Sequence, residues 1–268
     1  MTRTVRHSRG WGHFIRFLLL SMAEKAPGGV FRMSNRKKEL LYWEKQLSGM
    51  GSFSGTMAAR IDLSRQKELF PMEIMEYVGK IKADSPGKKK AMVLDVGSGP
   101  ISLLSWGCNQ GLFDLITVDP LADDYNELIR AYGHGAALGS AKSVQAASEE
   151  MGGFLEPESF DIVYCNNALD HTTSPRQGLE EMVKAVRPGG YIIISGSAHE
   201  GSKEGWDEIH QHDLYIENDT LWCKGRRSDG KQLASGLPLV AVSSMAPKEF
   251  FGRMRVVFKK NGLKQCAE

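Results

Sequence analysis

Residues 93–100 read Val-Leu-Asp-Val-Gly-Ser-Gly-Pro. An apolar run leads into Asp95, glycines follow at the alternate positions Gly97 and Gly99, and a helical stretch comes next. A strand that passes through a glycine turn into a helix points to an α/β fold, in which ligands bind at the carboxyl ends of parallel strands. Glycine lets the backbone turn tightly and come close to a ligand, although a turn that needs glycine for its geometry alone would look the same.

The rest of the chain supports that architecture. From the lysine run at 88–90 onward, short apolar segments alternate with helical ones, the pattern of a parallel sheet with right-handed crossovers. Strands are predicted over 91–96, 115–118, 143–147, 160–165 and 191–197, with helices from Ser102, Asp124 and Gln177. Beyond Ser197, three short strands are predicted over 210–217, 220–224 and 231–234, joined by turns at Asn218-Asp219 and at 228–230. They make 198–237 a β-rich lid or substrate-binding insertion after the fifth strand. Segments 240–245 and 254–259 then return to the sheet edge as an antiparallel pair. The expected fold class is α/β, an open, doubly wound, mostly parallel seven-stranded sheet over 88–268.

Residues 33–87 read as an N-terminal helical cap. One helix starts at Ser34 and carries Leu40, Trp43 and Leu47 on one face; a second starts at Pro71, with Ile74, Val78 and Ile81 in a stripe. Residues 1–32 read as a poorly ordered basic leader, with Met33 as an alternative start. The competing reading is a short secretory signal over 14–23.

Composition narrows the partners. Apolar residues at 41% together with 29 glycines are ordinary for a chain that buries a real core. The balance of 34 basic and 32 acidic residues lacks the basic excess that nucleic acid selects. No apolar run reaches the ~18–20 residues of a membrane span. The four cysteines, Cys108, Cys165, Cys223 and Cys266, form no CxxC pair, and free thiols in a cytoplasmic setting are expected.

The glycine loop departs from the dinucleotide fingerprint, because Ser102 stands where a third glycine would fall and Pro100 stiffens the turn. A ligand without phosphate needs an acid near the loop to meet an ammonium group and another at the next strand's end to hold ribose hydroxyls. Asp95 and Asp119 supply these, and Asp119 lies about 20 positions beyond Gly99, as a βαβ unit requires.

The motifs in order, Asp95 to Pro100, then Asp119, then Phe160-Asp161-Ile162-Val163, then Arg187-Pro188-Gly189-Gly190, resemble those of the class I S-adenosylmethionine-dependent methyltransferases, most closely the type 11 group. The resemblance covers about residues 91–197 and implies a Rossmann-like methyltransferase fold with S-adenosylmethionine as cofactor. It implies further that Gly97 and Gly99 line the methionine moiety, that Asp119 holds the ribose, and that Pro120 and Leu121 flank the adenine. Ser148 and Glu149 would reach its amino edge, and Asn166, at the end of the fourth strand, completes the cofactor set. Arg60 could meet the methionine carboxylate, or be a surface arginine.

After the fourth strand comes Asn166-Asn167-Ala168-Leu169-Asp170-His171, the segment that faces the transferred methyl. An alcohol acceptor needs a base to remove its proton. His171 is the candidate base, with Asp170 orienting it or holding the acceptor; a pocket-shaping role for His171 is the alternative. Asn167, with His199 and His210 from the insertion, is expected to bind the acceptor, and His210 and His212 would share a face if that segment is extended. No resident metal is expected. The resulting expectation is methyl transfer to the hydroxyl of a small polar molecule, with no membrane partner and nucleic acid disfavoured. An RNA or protein methyltransferase and a non-catalytic S-adenosylmethionine-binding protein are the competing readings.

Overall fold

A computed structural model describes residues 30–206, 209–246 and 252–262. The basic leader expected over 1–32 falls almost wholly outside them, as does Cys266. The chain divides into two compact units, Met1–Lys38 and Glu39–Glu268. The described part of the first is the opening of helix α1 (Val30–Leu47), and every later element belongs to the second. Because α1 begins at Val30, Ser34 lies inside the helix and not at its cap.

Three more helices precede the sheet: α2 (Ser54–Ile61), α3 (Gln66–Leu69) and α4 (Ile74–Asp84). The first two were not anticipated, and α4 begins three residues after Pro71 because Pro71 to Glu73 form a turn. The expected seam at 87–88 has no counterpart in the division of the chain. Ile74, Tyr77, Val78 and Ile81 of α4 pack into the same cluster as Val93, Leu115 and Ile162 of the sheet, so these helices share the sheet's core.

The sheet is built from β1 (Ala91–Val96), β2 (Phe113–Asp119), β3 (Lys142–Gln145), β4 (Phe160–Asn166), β5 (Val186–Ser197), β9 (Leu239–Met245) and β10 (Arg253–Lys260). Its order is β3-β2-β1-β4-β5-β10-β9. The first five strands are parallel, and β10 pairs antiparallel with both β5 and β9. This is the seven-stranded, doubly wound sheet expected from the alternating pattern. Helix α5 (Ser105–Asn109) follows β1, α6 (Ala122–Ala131) follows β2 and α7 (Pro175–Ala185) follows β4.

Ile74 and Tyr77 of α4, Cys108 of α5 and Leu104 just before it cover one face. Leu179, Met182 and Val183 of α7 cover the other, against Val163, Cys165 and Ile194. With helices on both faces, β4 is buried from Phe160 to Cys165, and its one charge, Asp161, is paired with Lys88 and Arg187, which is why it reads as an apolar run broken only by that aspartate. Helix α7 starts where its chemistry says it should: Ser174 accepts a hydrogen bond from the Gln177 amide, and Pro175 takes the first helical position.

After β5 a short helix α8 (Glu200–Lys203) leads into a separate three-stranded sheet of β6 (His212–Glu217), β7 (Thr220–Gly225) and β8 (Lys231–Gln232). Its apolar side chains Leu214, Ile216, Leu221 and Leu233 join the cluster on the α7 face. Cys108, Cys165 and Cys223 are free thiols. No helix among the described residues is long and apolar enough to cross a membrane.

Candidate functional site

The topology reverses between β1 and β4, since β2 and β3 extend to one side of β1 while β4 and β5 extend to the other. Such a switch point opens a crevice at the carboxyl ends of the strands. The glycine loop leaves β1 there. Gly97 and Gly99 both have left-handed backbones, at φ 69° and 63°, which side chains other than glycine adopt only with strain. At Gly97 there is a second reason: an added Cβ would run into Ala168, on the loop after β4.

Asp119 closes the loop from the β2 side. Its Oδ2 accepts the Gly99 amide and its Oδ1 the Leu121 amide, both at 2.9 Å. Each carboxylate oxygen has a second lone pair for a ligand hydroxyl. Burial is the main cause that lifts Asp119 to about 7; Glu39 adds to it, while the two amide bonds oppose it.

Asp95 does not wait at the mouth of the crevice. It is buried, and its carboxylate takes a hydrogen bond from Ser102, whose Oγ in turn accepts the Leu104 amide. Asp95 thus holds the turn in this structure, and Ser102, read from sequence only as a missing glycine, is its partner. Burial pushes Asp95 up to about 6, against the pull of Ser102 and Arg60.

Arg60 is not a surface arginine. Its Nη1 donates to the Ile101 carbonyl at 3.0 Å, its guanidinium lies 5.7 Å from the Trp43 ring, and its Nε is buried with no hydrogen-bond partner among the described residues. Arg60 and Trp43 are also the side chains nearest Gly99.

Four residues expected to contact the cofactor have partners within the protein. Leu121 is buried against Leu40 and Tyr125, leaving exposed Pro120 alone beside the crevice. Ser148 is buried and donates to Glu149, and Glu149 accepts the Thr173 and Ser174 amides that precede α7. Asn166 Oδ1 accepts from Ser195 Oγ and from Arg253. The side chains of Glu149 and Asn166 thus bind neighbouring elements, which spacing along the chain does not reveal.

The loop after β4 makes the second half of the site. Asn167 has a left-handed backbone (φ 53°), and its side chain accepts the Ser197 amide at 2.8 Å, so it fastens the β4 end to the β5 end. A short 3-10 turn, Leu169–His171, then places Asp170 and His171. Buried Asp170 is approached by two histidines: His210 Nδ1 donates to its Oδ2 at 2.8 Å, and His171 Nε2 lies 3.3 Å from the same oxygen. The two imidazoles meet edge to face with centroids 4.6 Å apart. The Gln211 amide also donates to the Asp170 carbonyl, at 3.0 Å.

These groups set one another's protonation. Burial by itself would disfavour the charged form of each. For Asp170 the two histidines outweigh burial and hold the carboxyl well below its ordinary range. The Asp170 carboxylate likewise overcomes the burial of His171 and lifts it to about 9, and it raises His210 above its ordinary value. Asp170, His171 and His210 bring their ligand atoms within 4.8 Å of one another, close enough in spacing for a cation to compete with the shared protons.

The other histidines do not join. His199 stacks on Tyr215 at 4.7 Å and is 3.8 Å from Asp213. His212 Nε2 donates to the Thr172 carbonyl at 3.1 Å. Strand β6 starts only at His212, so His210 lies ahead of the strand, and the two rings have different partners, Asp170 for His210 and the Thr172 carbonyl for His212. Of the three expected acceptor-binding residues, His210 alone reaches Asp170. Glu200, whose carboxyl feels the charges of this cluster, had no motif to mark it.

Residues 94–194 match the family model of a methyltransferase domain, and the sheet order and the glycine loop agree with the fold expected of one. Among curated proteins, the chain is similar to the ubiquinone biosynthesis O-methyltransferase of Aliivibrio fischeri, with 31% identity over 109 residues, 41% of this chain and 44% of that protein. The protein of the same name from Idiomarina loihiensis is 34% identical over 109 residues, 41% of this chain and 42% of its own length. The match thus spans less than half the length of these relatives. Among solved structures, an S-adenosylmethionine-bound amino pentose methyltransferase from Micromonospora echinaspora aligns over 70% of this chain and 90% of its own, at 15% identity and a TM-score of 0.46.

Proposed function

We propose that this protein transfers a methyl group from S-adenosylmethionine to the hydroxyl of a small polar acceptor, as a cytoplasmic enzyme. The observation that carries the reading is the bond from the Gly99 amide to Asp119, which puts a left-handed glycine loop and a carboxylate with spare lone pairs side by side at the switch point. The family match over 94–194 and the O-methyltransferase names of the curated relatives support it.

The residues fit the cofactor. Gly97 and Gly99 leave backbone room, Asp119 accepts the ribose hydroxyls, and the unpartnered Nε of Arg60 is available to a carboxylate. When bound, S-adenosylmethionine supplies an electrophilic methyl on a sulfonium. His171 takes the proton from the acceptor oxygen, and Asp170 holds its ring and stabilises its charged form. Because His171 titrates near 9, most of it is protonated at neutral pH, so the base is scarce there and turnover should climb with pH. His210 ties the insertion, read as a lid, to Asp170.

Calorimetry with S-adenosylmethionine, S-adenosylhomocysteine and a nicotinamide dinucleotide tests the cofactor; heat from the first two only is expected. Labelled-methyl transfer to pooled small alcohols tests the reaction. No heat with either sulfur ligand near millimolar concentration would overturn the reading.

A further inference from the structure

Glu200 has no part in the mechanism above, yet it lies beside the reacting groups. It is the first residue of α8, directly after His199, whose backbone is left-handed at φ 59°. That local turn brings the Glu200 carboxylate back toward the β4 end, where the Asn167 side chain and the charges of Asp170, His210 and His171 act on it. Its Oε2 is buried and has no hydrogen-bond partner among the described residues.

A buried carboxylate oxygen without a donor is costly, so its retention calls for a group that donates to it. The neighbouring imidazoles do not fill that place. His210 spends its Nδ1 proton on Asp170, and His171 Nε2 lies 3.3 Å from the same Asp170 oxygen and makes no hydrogen bond to Glu200 among the described residues. An incoming O–H or N–H would satisfy Oε2, whereas an incoming carboxylate or phosphate brings no donor and would leave it unsatisfied.

Resting on the methyl-transfer reading, we propose that Glu200 determines acceptor specificity by accepting a hydrogen bond from a second donor on the acceptor, next to the hydroxyl that receives the methyl. The acceptor class is then a small 1,2-diol or 1,2-amino alcohol, and an acid or phosphate ester in the same place is rejected. Hydroxyl and ammonium share the chemistry that Glu200 recognises.

The full-length protein saturated with S-adenosylhomocysteine provides the test, with the ring signals of His171 and His210 followed by NMR. Ethylene glycol, ethanolamine and glycolate are titrated as probes that differ only in their second group. The expected result is saturable shifts with ethylene glycol and ethanolamine at concentrations about tenfold or more below that for glycolate, the scale of one hydrogen bond to a charged group. The isosteric Glu200→Gln should lose this preference, and Glu200→Asp should regain part of it, with S-adenosylhomocysteine affinity unchanged in both. A merely structural Glu200 would not change the ratio between probes. Equal binding of glycolate, an unaltered preference in Glu200→Gln, or no binding of any probe to the saturated protein would overturn the proposal. Failure of the methyltransferase reading would show separately, as failure of S-adenosylhomocysteine to saturate the protein.

Discussion

His210 Nδ1 hydrogen-bonds Asp170 Oδ2 at 2.8 Å across 40 positions of sequence. The bond joins the insertion after β5 to the loop after β4, and it places a second imidazole against the carboxylate that already faces His171. Asp170 is therefore the shared partner of two histidines, and protonation at this end of the crevice is a property of the trio.

Turnover should depend strongly on His171. His171→Ala should lower kcat about 10²-fold or more and leave cofactor affinity nearly unchanged, since a general base acts on the proton and not on the cofactor. Single-turnover kinetics with the best acceptor, beside calorimetry with S-adenosylhomocysteine, will measure both. Normal turnover in this variant would show that another group takes the proton.

The pH profile should carry the same signature. A base that titrates near 9 gains its free form as pH rises, so the rate should climb from pH 7 and level off above about 9. Asp170→Asn removes the charge that lifts His171, and burial would then pull it down. The rising limb should move to lower pH while the maximum rate falls.

His210→Ala removes a charge-assisted bond to a buried carboxylate, and such bonds contribute about 1.5–3 kcal/mol. The expected signs are a lower melting temperature and a higher KM for the acceptor, with a smaller loss of kcat than in His171→Ala. A larger kcat loss than in His171→Ala would transfer the base to the insertion.

Cofactor affinity should fall by about 1.5–3 kcal/mol in Asp119→Ala, the range for a hydrogen bond to a charged group. It should also depend on pH in the wild type. Ribose hydroxyls are bound best by the ionised carboxylate, and Asp119 titrates near 7, so binding should tighten from pH 6 to 8. The sign for stability is opposite. A carboxyl whose folded value is raised stabilises most below its unfolded value, near 4, and that contribution is lost as pH rises through 7. Melting curves without cofactor should therefore decline from pH 5 to 8, and saturating S-adenosylhomocysteine should offset part of the decline.

Gly97→Ala tests the loop itself. The substitution puts a Cβ at φ 69° and into Ala168, and strain of that kind costs about 1–3 kcal/mol. Loss of cofactor binding with a lowered melting temperature is expected; an unchanged protein would mean that the loop has room to relax.

The alternation of apolar strands with helices was enough to determine the sheet, because strands buried on both faces must be mostly apolar, and the one charge buried in β4, Asp161, is paired with Lys88 and Arg187. The glycine loop and Asp119 were legible for a related reason. A left-handed turn needs glycine, and a βαβ unit places the next strand's end about 20 positions later. Local chemistry of this kind is written in neighbouring residues.

What tertiary structure decided is where polar side chains spend their hydrogen bonds. Glu149 and Asn166 stand at the expected strand ends, yet they hold the start of α7 and the β5–β10 edge. Asp95 turned inward to Ser102. His199 and His210 were indistinguishable as histidines of one insertion. The left-handed turn at His199 stacks its ring on Tyr215, while the chain ahead of β6 carries His210 to Asp170. A polar side chain has several partners of similar strength within reach, and the choice among them, like the protonation it sets, depends on distances between segments far apart in the chain. Apolar burial needs only a residue type at a position, whereas a hydrogen bond needs a partner at a given distance and angle, and those are set only when the chain is folded.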